Sequence, residues 1–590
     1  MPDVDEDRSS WPIHAKDGVA GCIDLDALDN IACTAATRGL WEHASGWVRD
    51  ISRYATVPTE QADKILSTRL RAPQVQRLLD CGLIAETPMS AAKGSVNVFA
   101  TPEPTKKRYR CIKEPRVINE RLGKDTLRPC HLPSKGAICN LVNEGEWMLP
   151  LDFSAYFDQI KLDADISNLM CFRHAGKHYR ACTLPMGQRQ AVEVAQNATL
   201  RLLDFDTPVT KLAYIDNVIF VGKYDDVVDA GVEYVRRCKE VGAKINELDT
   251  SKGMYALASR DIPKLVTQQG EWCGVYLDLK NKTTRLCDKT VDKTAASYAL
   301  RNGRPADAAT GREAVAPWTW RRFAAHVGLL FWAWGIIDLP MPDFFPLLRF
   351  VSEMGKHLTE HEDKWDETAI IWPSVASTID QWTKRVIDNA PRAARKATQI
   401  EWTVACDASA WGWGYVAVNN NSGAVQACNA QWTTAQKFKA QGKHRHSTYA
   451  EPEGILNSLC HLLKFTGNEP VRPRVRLGTD SSVAQASFTR GFNTHSYDIN
   501  ECLRRIHDKF GARADIEYVH IPGHLNPADA VSRGADASKV NWKEATTSLR
   551  RLVGDGNGPS LHEGLRLGAA SPAQRTAPRS EVSHRCLLVT

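Results

Sequence analysis

A chain of 590 residues, 43% hydrophobic and 24% charged, is long enough for three or four domains and too apolar to be disordered throughout. Its 75 Lys and Arg against 69 Asp and Glu leave a formal charge of +6, which suits a polyanionic partner without requiring one. No run reaches the roughly 20 apolar residues of a membrane helix, the acidic start Met1 to Ser10 has no signal-like region, and 16 cysteines without a Cys-x-x-Cys pair read as reduced thiols of a cytoplasmic or nuclear protein with no membrane partner.

In chain order, residues 1–60 carry no motif. From Gln61 to Ile84 the apolar positions Ile65, Leu66, Leu70, Val75, Leu78 and Leu79 predict helix, which Pro73 splits in two. A basic run, Lys106-Lys107-Arg108-Tyr109-Arg110, follows. Between Trp147 and Leu286 short apolar strands alternate with helix-like runs, an α+β pattern. Residues 291–398 read as mostly helical, with an aromatic-rich run from Trp318 to Trp334, and the tryptophans within the short apolar stretch Val327 to Leu339 read as core. A second, α/β unit spans about 400 to 533. The expected divisions are 1–60, 61–290, 291–398, 399–540 and a disordered tail over 541–590, rich in Gly, Ser, Ala, Pro and Arg.

The first chemical signal is a pair of acids on apolar strands. Met148-Leu149-Pro150-Leu151-Asp152 ends in one. Lys211 to Val221 carries another, Asp216, at its centre. Like charges brought together out of water repel and are poorly solvated. Two divalent cations about 4 Å apart resolve that problem and are the machinery of nucleotidyl transfer.

Further segments fall in order around the pair. Asp152-Phe-Ser-Ala-Tyr-Phe157 resembles the first palm motif of reverse transcriptases, Leu184-Pro185-Met186-Gly187-Gln188 their Leu-Pro-x-Gly motif, and Tyr214-Ile215-Asp216-Asn217 their Tyr-x-Asp-Asp hairpin. Gly242 to Asn246 resembles the next palm motif, and Trp272-Cys273-Gly274 the primer grip. Arg108-Tyr-Arg110 with Arg116-Val-Ile-Asn119 resembles the fingers. The resemblance covers about residues 80 to 290. It implies a right-hand polymerase of fingers, palm and thumb. Asp152, Asp216 and Asn217 would ligate Mg²⁺ or Mn²⁺, two per site. Lys107 and Arg110 would hold the triphosphate, and Met186 and Gly187 would pack under the nucleotide. Phe157 would exclude a ribose 2′-hydroxyl. Two departures stand out. Asn217 replaces an acid and brings no charge to a cation. Asp249 stands where the family often has a lysine, for which Lys244 or Lys252 could substitute.

The second signal lies beyond residue 400. A strand ends in Asp407, a helix opens with Glu451, a strand runs into Asp480, and Tyr518-Val-His-Ile-Pro-Gly-His524-Leu-Asn526-Pro-Ala-Asp529 leads into a last helix. Four acids in the order strand, helix, strand, helix resemble ribonuclease H. That resemblance implies metal-ligand roles for Asp407, Glu451, Asp480 and Asp529, and a role for His524 in proton transfer or product release. Glu453 is an alternative to Glu451, but Gly454, Ser458 and Leu459 fit the sheet-facing side better if Glu451 is the ligand.

Polymerase, helical connection and ribonuclease H-like domain stand in the order of retroelement reverse transcriptases. The details resemble retrotransposon forms, of the DIRS-like or trypanosomatid VIPER-like type. The resemblance implies an RNA template, a DNA primer, dNTPs and the RNA–DNA hybrid as partners, with other retroelement-encoded proteins beside them. The alternative is a catalytically degenerate scaffold of the same folds that binds RNA.

Overall fold

The computed structural model describes residues 10–60, 64–122, 130, 132–248, 254–303, 317–337, 339, 341–393, 400–440, 446–463, 473–511 and 514–553. The chain is multidomain, with one compact unit built on Met1–Thr284 and another on Arg285–Ser560. The first is α+β. The second joins helices to an α/β sheet.

The first unit contains strands β1 (Ile84–Thr87), β2 (Asn97–Glu103), β3 (Arg108–Glu114), β4 (Trp147–Asp152), β5 (Cys171–His174), β6 (Lys177–Ala181), β7 (Thr210–Tyr214), β8 (Asn217–Gly222), β9 (Gln269–Trp272) and β10 (Val275–Asp278). Its central sheet is antiparallel in the order β4-β8-β7. In β8, Val218-Ile219-Phe220-Val221 is a run of β-branched and aromatic residues, buried throughout. Helix Tyr224–Glu240 covers this sheet, and Gly231 permits the approach: a Cβ there would lie 2.4 Å from Leu149 Cδ2. Strands β2 and β3 form a separate hairpin, and β1-β6-β5 a separate sheet.

The N-terminal residues belong to this core. Ile13, Ile23, Leu28, Trp41 and Trp47 are buried in the same cluster as Leu149 and Phe220. Pro73 does not split a helix. It sits in the first turn of the single helix Ala72–Asp80, where its missing N–H costs nothing.

In the second unit, helices Asp288–Ala299, Trp320–Ile337, Phe345–Glu360 and Pro373–Asp388 pack around Trp318, Trp320 and Trp382, all buried. Among the described residues, no helix is long and apolar enough to cross a membrane. The sheet that follows comprises β11 (Ile400–Ala408), β12 (Gly412–Asn419), β13 (Val425–Gln431), β14 (Arg474–Thr479) and β15 (Asp515–His520). Its order is β13-β12-β11-β14-β15, antiparallel on the β13 side and parallel from β11 to β15. The expectation of a disordered tail from 541 is corrected over 542–553. These residues form helix Trp542–Val553, which buries Ala545 and Leu549 with Val416 and Ala405 of the sheet. The rest of that tail, 554–590, lies outside the described residues.

Candidate active sites

In the first unit, Asp152 ends β4 and Asp216 sits in the two-residue turn from β7 to β8. Asn217 is level with both Asp152 and Tyr214, so the end of β4 meets that turn. Phe153 N donates to Asp216 O at 3.0 Å and ties the two together. The turn is strained, because the β-branched Ile215 has φ +59°. Helix Ala191–Leu203 holds it with buried polar groups. Gln196 Oε1 accepts from Ile215 N at 2.7 Å, Gln196 Nε2 donates to Ala213 O at 3.1 Å, and Thr199 Oγ1 donates to Ile215 O at 2.7 Å. No sequence motif marks either residue. The available signal was polar side chains on a helix that is otherwise apolar and buried.

Burial, and then the charge of Asp216, pushes the Asp152 carboxyl up to about 6, against an opposing bond from Asn246. Burial also raises Asp216. Asp152 Oδ2 accepts from Asn246 Nδ2 at 2.9 Å, while Oδ1 is buried with no hydrogen-bond partner. Glu247, which the sequence reading passed over, adds a third acid: its Oε2 accepts from Asp152 N at 3.1 Å. Asn217 Nδ2 donates to Asp216 Oδ1 at 3.2 Å.

The remaining candidates of this unit are distributed around the pair. Arg110 pairs with Glu103 at 2.7 Å, and its charge reaches Asp216. Lys107 is exposed in the left-handed turn between β2 and β3. Phe157 is half-buried, its ring 6.5 Å from that of Tyr156. Met186 is exposed, and Gly187 O accepts from Asn119 Nδ2 at 2.9 Å. Trp272 is buried, and Cys273 and Gly274 form the turn from β9 to β10. The Cys273 thiol is pushed up to about 12, first by burial and then by the charges of Asp216 and Asp152. Lys244 Nζ bonds the Gly18 carbonyl, and Lys252 lies outside the described residues.

The second unit gathers acids through strand register. Parallel β11 and β14 are level at Ala405 and Gly478. Asp407 and Asp480, two residues further on, therefore stand level at their C-terminal ends. Glu451 opens helix Glu451–Leu462, which packs closely on β11: a Cβ at Gly454 would lie 3.2 Å from Ala408 Cβ. Asp407, Glu451 and Asp480 each offer an oxygen within 4.8 Å of the others. Glu453 is buried but bonds Arg505 at 2.8 Å. Asp529 is not brought into the group. Arg533 holds it at 2.7 Å, although its charge still raises the Asp407 carboxyl.

His524 is exposed in the short turn Gly523–Leu525, which closes against Asp480: a Cβ at Gly523 would lie 3.0 Å from Asp480 Oδ2. Three supports were missed in the sequence. Ser532 donates its hydroxyl to Asp407 Oδ2. Asn526 Nδ2 donates to Cys406 O at 3.1 Å and pins the loop to β11. His520 Nε2 lies 3.2 Å from Asp480 O.

The chain is similar to foamy viral protease-reverse transcriptases. One solved in complex with ds DNA superposes with a TM-score of 0.42 at 11% identity, over 84% of this chain and 81% of that chain. A second dsDNA complex gives 0.40 and 11% over 84% and 96%. A complex with RNA/DNA hybrid gives 0.40 and 14% over 84% and 62%. No family model and no curated protein matches the chain.

The acids of the second unit suit a hard divalent cation, since three converging carboxylates without a cation between them carry a penalty. Burial, then Asp407 and Asp480, push Glu451 up to about 9, and burial pushes Asp407 up to about 6. Raised carboxyls bind protons more tightly in the folded chain than in the unfolded one. Stability from this site is therefore full below pH about 4.5, the ordinary glutamate value, and is lost as pH rises toward about 9. Thermal melting is expected to fall across that window in chelator and to recover with Mg²⁺ or Mn²⁺. At 100 times the dissociation constant the cation contributes about 2.7 kcal/mol, or roughly 5–10 °C for domains of this size. A melting temperature independent of cation at pH 8 counts against the site.

Proposed function

We propose that this chain is an RNA-directed DNA polymerase of retrotransposon type with a ribonuclease H activity that degrades the RNA strand of RNA–DNA hybrids. One observation supports it above the rest: each unit carries its own set of acids at or beside strand ends, half-buried at Asp152, Asp216 and Asp480 and buried at Asp407 and, on the adjoining helix, Glu451. In the first set, Asp152, Asp216 and Asn217 would hold Mg²⁺ or Mn²⁺. In the second, Asp407, Glu451 and Asp480 would do so, with Asp529 alongside. Cations held there would supply activation of a primer 3′-hydroxyl in one site and of a water in the other, and would neutralise phosphoryl charge. The chain's own residues do the rest. Gln196 and Thr199 fix the turn that aims Asp216. Arg110 offers a guanidinium to the triphosphate of a dNTP. Cys273 and Gly274 present backbone beside the acids, where a primer end would lie. Ser532 and Asn526 hold Asp407 and its facing loop, and His524, exposed in that loop, would assist proton transfer or product release.

The test is a pair of assays on one preparation, with Mg²⁺ or Mn²⁺. Extension of a primed RNA template with dNTPs is expected, and little with NTPs. A labelled RNA strand annealed to DNA is expected to be cut. A second reading, a silent scaffold that binds RNA, draws on Asn217 and on Asp529, which pairs with Arg533 and stands outside the group of three acids. Binding without extension or cleavage would select it.

Two substitutions sharpen the first site. Asn217→Asp supplies a charge where the amide has none, so the Mg²⁺ concentration for half-maximal extension is expected to fall. An unchanged or raised requirement removes Asn217 from the ligand set. Phe157→Val clears space beside the sugar C2′, so the ratio of kcat/KM for dNTP over NTP is expected to drop by about 10-fold or more. An unchanged ratio makes Phe157 a packing residue only.

A further inference from the structure

The segment before Asp24 contains none of the motifs, yet it sets a lysine against the first acid pair. Lys16 Nζ donates to Ser154 Oγ at 2.6 Å and to Asn246 Oδ1 at 2.9 Å, across 138 and 230 residues of sequence. Asn246 Nδ2 in turn donates to Asp152 Oδ2 at 2.9 Å. The segment is fastened on both sides of Lys16. His14 N donates to Tyr109 O at 2.6 Å, Tyr109 N to Pro12 O at 2.8 Å, and Gly21 N to Asp158 O at 2.9 Å. Arg77 pairs with Asp17 at 2.9 Å. Lys16 is therefore held in place, not carried on a loose end.

The chemistry of the amide gives this contact its meaning. A primary amide accepts at one end and donates at the other. Beside a carboxylate only the donating end is favourable, since the turned amide would set oxygen against oxygen. An ammonium has donors and no acceptor, so it takes only the amide oxygen. Lys16 and Asp152 thus select the same orientation of Asn246 from opposite sides. With Oδ2 of Asp152 engaged, the oxygen left without a partner is the buried Oδ1. Lys16 also holds Ser154, whose backbone N donates to Lys244 O at 2.9 Å just after the turn out of β4.

We infer that Lys16 is a positioning residue of the polymerase site: it locks the Asn246 amide and, through it, the Asp152 carboxylate in the orientation that presents Oδ1. The inference rests on Asp152 and Asp216 being divalent-cation ligands. Removing Lys16 leaves the amide held only at its donating end, by Asp152 Oδ2 at 2.9 Å and Phe153 O at 3.3 Å, and so loosens the aim of Asp152.

The test is a double-mutant cycle on cation binding, which does not depend on extension activity. In the full chain carrying Asp407→Asn and Asp480→Asn, Mn²⁺ binding followed by electron paramagnetic resonance reports the Asp152 site, with Asp152→Asn as the blank. Asn246→Ala is expected to change the Mn²⁺ dissociation constant by about 10-fold, the scale of outer-shell partners of metal ligands. In a Lys16→Met background the same change is expected to have a several-fold smaller effect, and Lys16→Arg is expected to bring the coupling back. The melting temperature of Lys16→Met should match that of the unaltered chain, which separates positioning from misfolding of the unit that holds Lys16. Equal effects of Asn246→Ala with and without Lys16 overturn the inference. Binding no tighter than in the Asp152→Asn blank overturns the cation-ligand reading itself and the inference with it.

Discussion

Asp216→Ala is expected to abolish primer extension, by roughly 10⁴-fold or more as for removal of one member of a catalytic constellation, while cleavage of an RNA–DNA hybrid continues. The fold around the turn does not depend on this carboxylate. Gln196 and Thr199 grip the backbone of Ile215 and Ala213, and Phe153 N bonds the backbone oxygen of residue 216. Removing the acid also relieves Asp152, whose carboxyl the Asp216 charge helps to push up to about 6. The variant should therefore melt no lower than the unaltered chain, and loss of extension would be a loss of chemistry. Asp152→Ala is expected to behave alike, although it strands the Asn246 amide. Primer extension and cleavage are read on one preparation. Extension at the original rate by either variant would remove this pair from the polymerase site.

Asp407→Asn should give the reverse pattern, with cleavage of the hybrid lost and extension retained. The amide keeps the volume of the side chain and an oxygen for the Ser532 hydroxyl, but takes one negative charge out of a cluster of three. That charge is among the causes that push Glu451 up to about 9, so its loss eases the remaining acids. Asp480→Asn acts at the level position on the neighbouring strand, and the same result is expected. His524→Ala should slow cleavage without stopping it, since the ring is exposed at the rim and bears on no acid directly. The readout is a labelled RNA strand in the hybrid beside a primed template. Undiminished cleavage by both Asp variants would mean that the cluster does not serve a nuclease.

Much of this molecule was written in short stretches of the chain. Strand β8 announces itself through Val218 to Val221. Acids at the ends of β4, β11 and β14 stand out because a charge following an apolar strand needs a reason. Gly454, Ser458 and Leu459 favour Glu451 over Glu453 in the sequence, and in the structure Glu451 lies near Asp407 and Asp480 while Glu453 bonds Arg505. These features obey the local periods of strand and helix, so a reading of neighbours in sequence finds them.

What only the tertiary structure decided is how those acids are held. Lys16 reaches Asn246 across 230 residues. Ser532 reaches Asp407 across 125, and Gln196 clamps a turn 19 residues away. Arg533, one helical turn from Asp529, pairs with that acid, which stands outside the group of three. A hydrogen bond between distant segments imposes no period on either, and one lysine or glutamine among many carries no mark of its partner. Apolar burial is set by the pattern of a whole segment and shows in the sequence. The aim of a single carboxylate is set by one or two directional bonds, and these exist only once the backbone has brought the segments together.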